Sequence, residues 1–307
     1  MSLYGLFQGK GPSGFGYNST ADEVTEGQEI AGKTYLLTGC NAGLGRETLR
    51  VLTARGARVL AAARSVEKAK ATADAVGGDV IPLAAELSEP ASVRAAVQTV
   101  RDLGLPLDGI IANAGIMALP ERIVKHGLEL QFLTNHVGHF ILVTGLLDQL
   151  TDHGRVVILS SSAHNRAYPE GVRLDDLAAE RGYTPWGAYG QSKLSNLLFA
   201  RLLATRLPRP GQTANAVHPG VIPTELSRHL GTFAQGVFRN VGPLFALKTI
   251  PQGAATQCYV AAHRDTAQHR GLYFADCNPA PTSAHGRDDA LAAAVWAKTE
   301  EIAAGLA

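Results

Sequence analysis

The sequence predicts an α/β fold, a Rossmann-type doubly wound parallel sheet with helices on both faces. Two observations carry that prediction. From Lys33 onward, short apolar or β-branched runs bounded by Gly or Pro alternate with longer helical patterns, as buried parallel strands and their crossover helices do. The first of these runs opens directly into a glycine-rich turn, Thr38-Gly39-Cys40-Asn41-Ala42-Gly43-Leu44-Gly45-Arg46, that enters a helix. Right-handed crossovers then wind successive strands into an open, layered sheet.

Taken in order, residues 1–32 read as a leader in which Ser19-Thr20-Ala21-Asp22-Glu23 caps one short helix. Strands are expected over 34–38, 58–62, 80–84, 109–112, 155–160, 213–217 and 272–274. Helices are expected over 44–55, 66–76, 90–103, 127–150 and 185–206. Ser88, ahead of Glu89 and Pro90, reads as an N-cap with proline in the first turn. The stretch 224–250 mixes aromatic, Gly and Arg residues without a strand pattern. Beside the carboxyl edge of a sheet, such an insertion reads as a lid over a ligand. No internal repeat or low-complexity tract interrupts the pattern.

Composition narrows the class. The chain has 307 residues, twice the common domain length of about 150, yet no Ser/Gly-rich or charged linker divides it. Residues 33–307 are therefore expected to form one domain. A net charge of +1 with scattered Lys and Arg supplies no basic stripe, which argues against a nucleic-acid partner. Cys40, Cys258 and Cys277 lie far apart without metal-ligand spacing and fit reduced thiols of a cytoplasmic protein. The first 16 residues lack the apolar core of a signal peptide, and no run of about 18 apolar residues suits a membrane span. A soluble protein is expected.

The glycine turn has a chemical reading. Glycines let the backbone approach a pyrophosphate closely, and the helix N-terminus offers free N–H groups and partial positive charge. A ligand-free strand–helix turn remains the alternative. At the end of the second strand, an NAD site places an acid on the ribose hydroxyl about 20 residues beyond the glycines. This chain has Ala61-Ala62-Ala63-Arg64 there, with no acid before Glu67. Arg64 and Arg46 suit a 2′-phosphate, which a guanidinium pairs bidentately. NADP is favoured over NAD, against the plainer reading of Arg64 as a solvated loop charge.

Tyr189 and Lys193 stand at i and i+4 and share one helix face. A free phenol titrates near about 10, and a neighbouring ammonium stabilises the phenolate and draws that value down. Such a tyrosine gives and takes protons efficiently. A bare YxxxK also arises by chance. Upstream, Val156-Val157-Ile158-Leu159 ends in Ser160-Ser161-Ser162, so hydroxyls sit at a strand's carboxyl end, where open α/β sheets bind ligands.

The TGxxxGxG spacing, Asn113-Ala114-Gly115, the strand-end serines and the Tyr189–Lys193 pair, in this chain order, resemble the short-chain dehydrogenase/reductase family. The resemblance runs from Lys33 to Ile302. It is nearest to the retinol-dehydrogenase-like branch through Ile30-Ala31-Gly32-Lys33, Asn135-His136-Val137-Gly138-His139-Phe140, Lys248-Thr249-Ile250-Pro251-Gln252-Gly253-Ala254 and Tyr273-Phe274-Ala275-Asp276-Cys277. It implies that Gly39, Asn41, Ala42, Gly43, Leu44 and Gly45 bind the cofactor, and that Ser161 holds the substrate oxygen, with Ser160 and Ser162 supporting. Asn135 would hold a water linking Lys193 to solvent. Asn113, Ala114 and Gly115 would border the cofactor. Pro219, Gly220 and Val221 would border the nicotinamide, with Thr224 on its carboxamide. Glu86-Leu87 stands where the family has Asp before an apolar residue beside adenine, which puts the cofactor role of Glu86 in doubt.

The resemblance implies reversible carbonyl–alcohol interconversion with NADPH. A non-catalytic NADP-binding sensor is the rival, disfavoured by the intact Asn135, Ser161, Tyr189 and Lys193. An epimerase or dehydratase is disfavoured by the glycine spacing. His136 and His139 have ligand-like separation without carboxylate support and read as packing residues. Phe233, Val237, Phe238, Val241, Leu244 and Phe245 suggest an apolar or aromatic substrate, or else they bury one another or cover a membrane or subunit contact. Family dimers and tetramers use helices around 128–150 and 185–206, so a homo-oligomer is an open expectation.

Overall fold

The structure, a computed structural model, describes residues 7–222 and 247–306. Its strands are β1 (Thr34–Thr38), β2 (Arg58–Ala63), β3 (Val80–Ala84), β4 (Leu107–Ala112), the small pair β5 (Val124–Lys125) and β6 (Leu128–Glu129), β7 (Leu150–Leu159), β8 (Thr213–His218), β9 (Tyr273–Ala275) and β10 (Asn278–Pro279). The main sheet runs β10-β9-β8-β7-β4-β1-β2-β3, parallel except for β10. Strand order therefore reverses between β1 and β4, the switch point at which such sheets open a crevice beyond their carboxyl ends.

The helices are α1 (Ala21–Thr25), α2 (Gly43–Ala54), α3 (Val66–Val76), α4 (Pro90–Leu103), α5 (Leu130–Phe132), α6 (Gly138–Thr144), α7 (Pro185–Arg206), α8 (Ile250–Ala262) and α9 (Asp289–Gly305). Period-two alternation along the strands feeds two cores. Leu36, Ile110 and Val156 join the face covered by α4, α6, α7 and α9, while Leu37, Ile111 and Val157 join the face covered by α1, α2 and α8. On the first face Phe140, Phe199 and Trp296 interlock, with Phe140 edge-on to Trp296 at 5.1 Å, and seal α9 onto α6 and α7.

Most expected elements stand where the pattern put them, and α1 is capped as foreseen. The Thr20 hydroxyl accepts from Glu23 N while the Glu23 carboxylate accepts from Thr20 N. Three expectations need correction. The helix expected over 127–150 begins only at Leu130, because His126 and Gly127 take positive φ in a turn and Glu129 caps Phe132 N. It also passes through a π segment, Leu133–Val137, and ends at Thr144. The following strand then starts at Leu150, since that residue pairs with Leu107 across the sheet. Ser88 is not the cap of α4: Glu89 holds that position without a side-chain capping bond, and the Ser88 hydroxyl donates to Glu86.

Several elements fall outside the expected ranges, among them β5, α9, α8 and β10. Helix α8 is buried from Gly253 to Ala262 and so lacks an amphipathic stripe, although Thr249 and Gln252 form a capping box and proline lies in its first turn. Strand β10 is only two residues long. Ahead of α1, the leader straps across both. Phe15 packs edge-on to Tyr259 and His263, and its carbonyl accepts from the Asn278 side chain. Among the described residues, no helix is long and apolar enough to cross a membrane.

Candidate active site

A cavity opens at the carboxyl ends of β1, β2, β3, β4 and β7. Gly39, Asn41, Ala42, Gly43, Leu44 and Gly45 line it from the glycine turn, and Arg64, Glu86, Leu87, Asn113, Ala114 and Gly115 from the following strand ends. All twelve are residues that the sequence singled out. Gly45 is required by close approach: a Cβ there would lie 2.0 Å from the Gly39 carbonyl oxygen and 2.7 Å from Asn113 Nδ2. The turn is stitched to β4 through Thr38, whose hydroxyl accepts from Asn113 N and Ala114 N at 2.9 and 3.0 Å. Asn113 Nδ2 donates to the Thr38 carbonyl at 2.9 Å.

Arg46 does not line this cavity. It borders an adjoining cleft with Glu47, Arg50, Ile250 and Pro251, on the other side of the glycine turn. Glu86 is turned back on its own loop, its Oε1 accepting from Ser88 N and the Ser88 hydroxyl. Ala63, Ala85, Ser88, Ile116, Leu130, Thr134 and Leu159 also line the cavity. Most of these were missed because they follow strand ends by position and carry no distinctive chemistry.

Behind Gly115 and Leu159 lie the side chains of the Tyr189–Lys193 group. Tyr189 and Lys193 are both buried on α7. The Tyr189 hydroxyl hydrogen-bonds with Ser161, the middle one of the three serines. Ser160 instead donates to the Lys193 carbonyl at 2.7 Å, and Ser162 N donates to His218 Nδ1 at 3.3 Å. Lys193 Nζ donates to the Leu159 carbonyl at 3.0 Å and stands 5.7 Å from the Tyr189 ring centre. Asn196 Nδ2 donates to that same carbonyl, also at 3.0 Å.

Electrostatics depart from the expected lowering of the tyrosine by its lysine. Burial pushes the Tyr189 phenol up to about 12, partly offset by the Ser161 hydrogen bond. Burial also brings the Lys193 ammonium down to about 7. Desolvation disfavours both charged forms, and it is the largest cause at each group. The phenol therefore keeps its proton at neutral pH.

Asn135 sits in the π segment, a local widening that recurs at functional sites. Its Oδ1 accepts from Ile116 N at 2.8 Å, and its Nδ2 donates to Ile116 O at 2.9 Å and Ser192 Oγ at 3.0 Å. The side chain thus braces the cavity wall against α7 at the residue preceding Lys193. Pro219, Gly220 and Val221 leave β8 beyond His218 and do not line the cavity. Gly220 adopts φ 91° and packs under Lys248, whose backbone N donates to the Val221 carbonyl at 2.9 Å. Thr224 and the aromatic residues 233–245 lie outside the described residues.

Sequence reasoning also missed Trp186 and Tyr273. The Trp186 ring meets Tyr189 edge-on at 6.1 Å, and Tyr273 lies close enough that burial and then the charge of an ionised Tyr189 oppose its own ionisation. Trp186 sits one turn before Tyr189, a helical spacing that already put it on the same face. His136 and His139 are fully buried in hydrogen-bonded positions, as packing residues would be. All three cysteines are buried and unbridged.

The comparisons agree with this geometry. Residues 33–173 match the short chain dehydrogenase family. Short-chain dehydrogenase TIC 32 A, chloroplastic, of Brassica napus is 40% identical over 96% of this chain and 97% of its own length. Retinol dehydrogenase 12 of Mus musculus is 38% identical over 89% of this chain and 86% of its own. Among solved structures, an uncharacterised protein from Mycobacterium Paratuberculosis aligns with TM-score 0.74 and 34% identity over 92% of this chain and 97% of that one. A blue fluorescent protein from a metagenomic library, solved in complex with NADPH, aligns with TM-score 0.63 and 26% identity over 80% and 96%. The fold and site define an oxidoreductase of the nicotinamide-cofactor class. The chain belongs to the short-chain dehydrogenase/reductase family, in its retinol-dehydrogenase-like branch.

Proposed function

We propose that the chain interconverts a carbonyl and an alcohol with NADP(H), using Tyr189 as proton donor and acceptor. One observation carries the reading: a buried phenol, hydrogen-bonded to a strand-end serine and beside a buried lysine, adjoins a glycine-lined cavity that also holds Arg64. Bound nicotinamide supplies the hydride. The chain's own residues do the rest. Gly39 to Gly45 and the N-terminus of α2 hold the pyrophosphate, and Arg64 meets the 2′-phosphate, with Arg46 reaching from the neighbouring cleft. Asn113, Ala114 and Gly115 border the cofactor, Leu87 and Glu86 the adenine, and Pro219, Gly220, Val221 and Thr224 the nicotinamide.

Ser161 holds the substrate oxygen beside the Tyr189 hydroxyl. A phenol held near 12 keeps the proton that a developing alkoxide takes up. Lys193 binds the nicotinamide ribose, and its charge stabilises the phenolate left behind. Asn135 supports proton resupply to Lys193. Trp186, partly exposed next to Tyr189, provides an apolar wall that favours an apolar or aromatic substrate. The buried free thiols suit a reducing compartment such as the cytoplasm. Any homo-oligomer has to use a surface other than the α6–α7 face that α9 covers.

A panel of aromatic and aliphatic aldehydes and ketones, followed by NADPH consumption, tests the reading. Tyr189→Phe should lower turnover by about 10²-fold or more while NADPH still binds. Near-normal turnover in that variant defeats the mechanism. Equal use of NADH and NADPH by the unaltered protein defeats the cofactor assignment.

A further inference from the structure

His139 in α6 is fully buried and has no part in the steps above. Its ring spans two partners. Nδ1 stands 2.9 Å from the Asn135 carbonyl oxygen, and Nε2 stands 2.8 Å from Thr38 Oγ1. A carbonyl only accepts, so Nδ1 carries a proton. Burial, reinforced by the charge of Lys193, holds the ring near 4, so it is neutral at working pH and Nε2 keeps its lone pair. The Thr38 hydroxyl must then donate to it.

That assignment closes without conflict. Thr38 Oγ1 already accepts from Asn113 N and Ala114 N, leaving its single proton for the imidazole. The chain of bonds runs one way, from the amides of Asn113 and Ala114 just beyond β4, through Thr38 and His139, to the carbonyl of Asn135. Thr38 ends β1 at the glycine turn, and Asn135 lies in the π segment and braces Ile116 and Ser192. His136 offers an internal contrast. Equally buried, it bonds Asn196 and Thr299 and leads toward α9, away from the glycine turn.

We propose that His139 is a positioning residue that ties the start of the glycine turn to the π segment carrying Asn135. Seating the dinucleotide and placing the Tyr189–Lys193 pair are thereby coupled through one imidazole. The proposal rests on the reading of NADP(H) and Tyr189 given above.

Two variants divide the ring's functions. His139→Gln keeps an acceptor for Thr38 and loses the donor to Asn135. His139→Asn keeps that donor and loses the acceptor. His139→Gln should lower kcat about tenfold with NADPH Kd within about twofold of normal, whereas His139→Asn should weaken NADPH binding about fivefold. Variants that melt lower yet keep kcat and Kd per folded molecule would make His139 a packing residue only and overturn the proposal.

The unaltered protein gives a second readout independent of turnover and of variant folding. In ring-nitrogen NMR, assigned through the backbone, His139 should be the neutral Nδ1–H tautomer, and NADPH should shift its signals more than those of His136. The other tautomer, or no shift on binding NADPH, overturns the tie. Failure of every substrate would instead count against the functional reading, and the NMR result would still decide the coupling.

Discussion

The two sides of the cavity are built by opposite means. The cofactor side, from β1 to β3, is made of backbone and small residues, with Gly45 pressed against the Gly39 carbonyl and one guanidinium, Arg64, at the rim. The catalytic side is made of buried polar side chains. Asn135, His139, Ser160, Lys193 and Asn196 each spend their hydrogen bonds on backbone groups or neighbours far away in the chain. The first side excludes side-chain volume so that a ligand's phosphates can approach. The second fixes the Tyr189 phenol by satisfying the polar groups around it, as buried polar groups require.

Perturbations should therefore separate by kind. The largest effect belongs to volume on the cofactor side. Gly45→Ala puts a methyl against a carbonyl oxygen, and the turn must open; NADPH Kd, read by fluorescence titration, should rise on the order of 10²-fold. The same titration returning a normal Kd would mean that the turn tolerates bulk. Next comes charge. Removing a guanidinium that hydrogen-bonds a phosphate costs about 1.5–3 kcal/mol. Arg64→Ala should therefore raise the NADPH Kd by about 10–100-fold and leave NADH unchanged. A parallel loss for both cofactors would place Arg64 away from the 2′-phosphate.

On the catalytic side the lever is pH, and it acts on stability and not on cofactor binding. Burial holds His136 and His139 near 4, below the 6.5 of a free histidine. Between those values the unfolded chain binds more protons than the folded one, so stability falls as pH drops from 6.5 toward 4 and levels off below. Each histidine contributes up to about 1.4 kcal/mol per pH unit in that window. Denaturant melts across it should show the fall, and replacing His136 by Gln should make it shallower while His139 still contributes. A flat profile in the unaltered protein would mean that the rings are hydrated.

The same contrast explains what could be read from the sequence. The cofactor side was legible because its chemistry is local: consecutive glycines after a strand, then an arginine where an acid is the usual choice. Tyr189, Lys193 and the middle serine were legible as well, through spacing and strand-end position. The bonds that hold them were not. Asn135 reaches Ile116 and Ser192, and Thr38 reaches His139 across 101 residues, and no periodicity announces such pairs. The π segment hid for a related reason: its residues, Leu133 to Val137, continue the helical pattern, and only the extra residue in the turn separates it from α-helix. Helix α8 was overlooked because it is buried on nearly every side, and amphipathic contrast was the signal being sought.

The leader's docking has a consequence for synthesis. Ser13 bonds Asn278 across 265 residues, and Phe15 rests on Tyr259 and His263. Chains emerge from the ribosome N-terminus first, so residues 13–15 leave the tunnel long before their partners are translated. The β1–β4 sheet can assemble in that interval, but the strap cannot. Closing so long a loop is entropically affordable only once the rest of the sheet holds its ends together. A ribosome halted before Asn278 would therefore display the Phe15 segment unshielded, where a completed chain keeps it folded away.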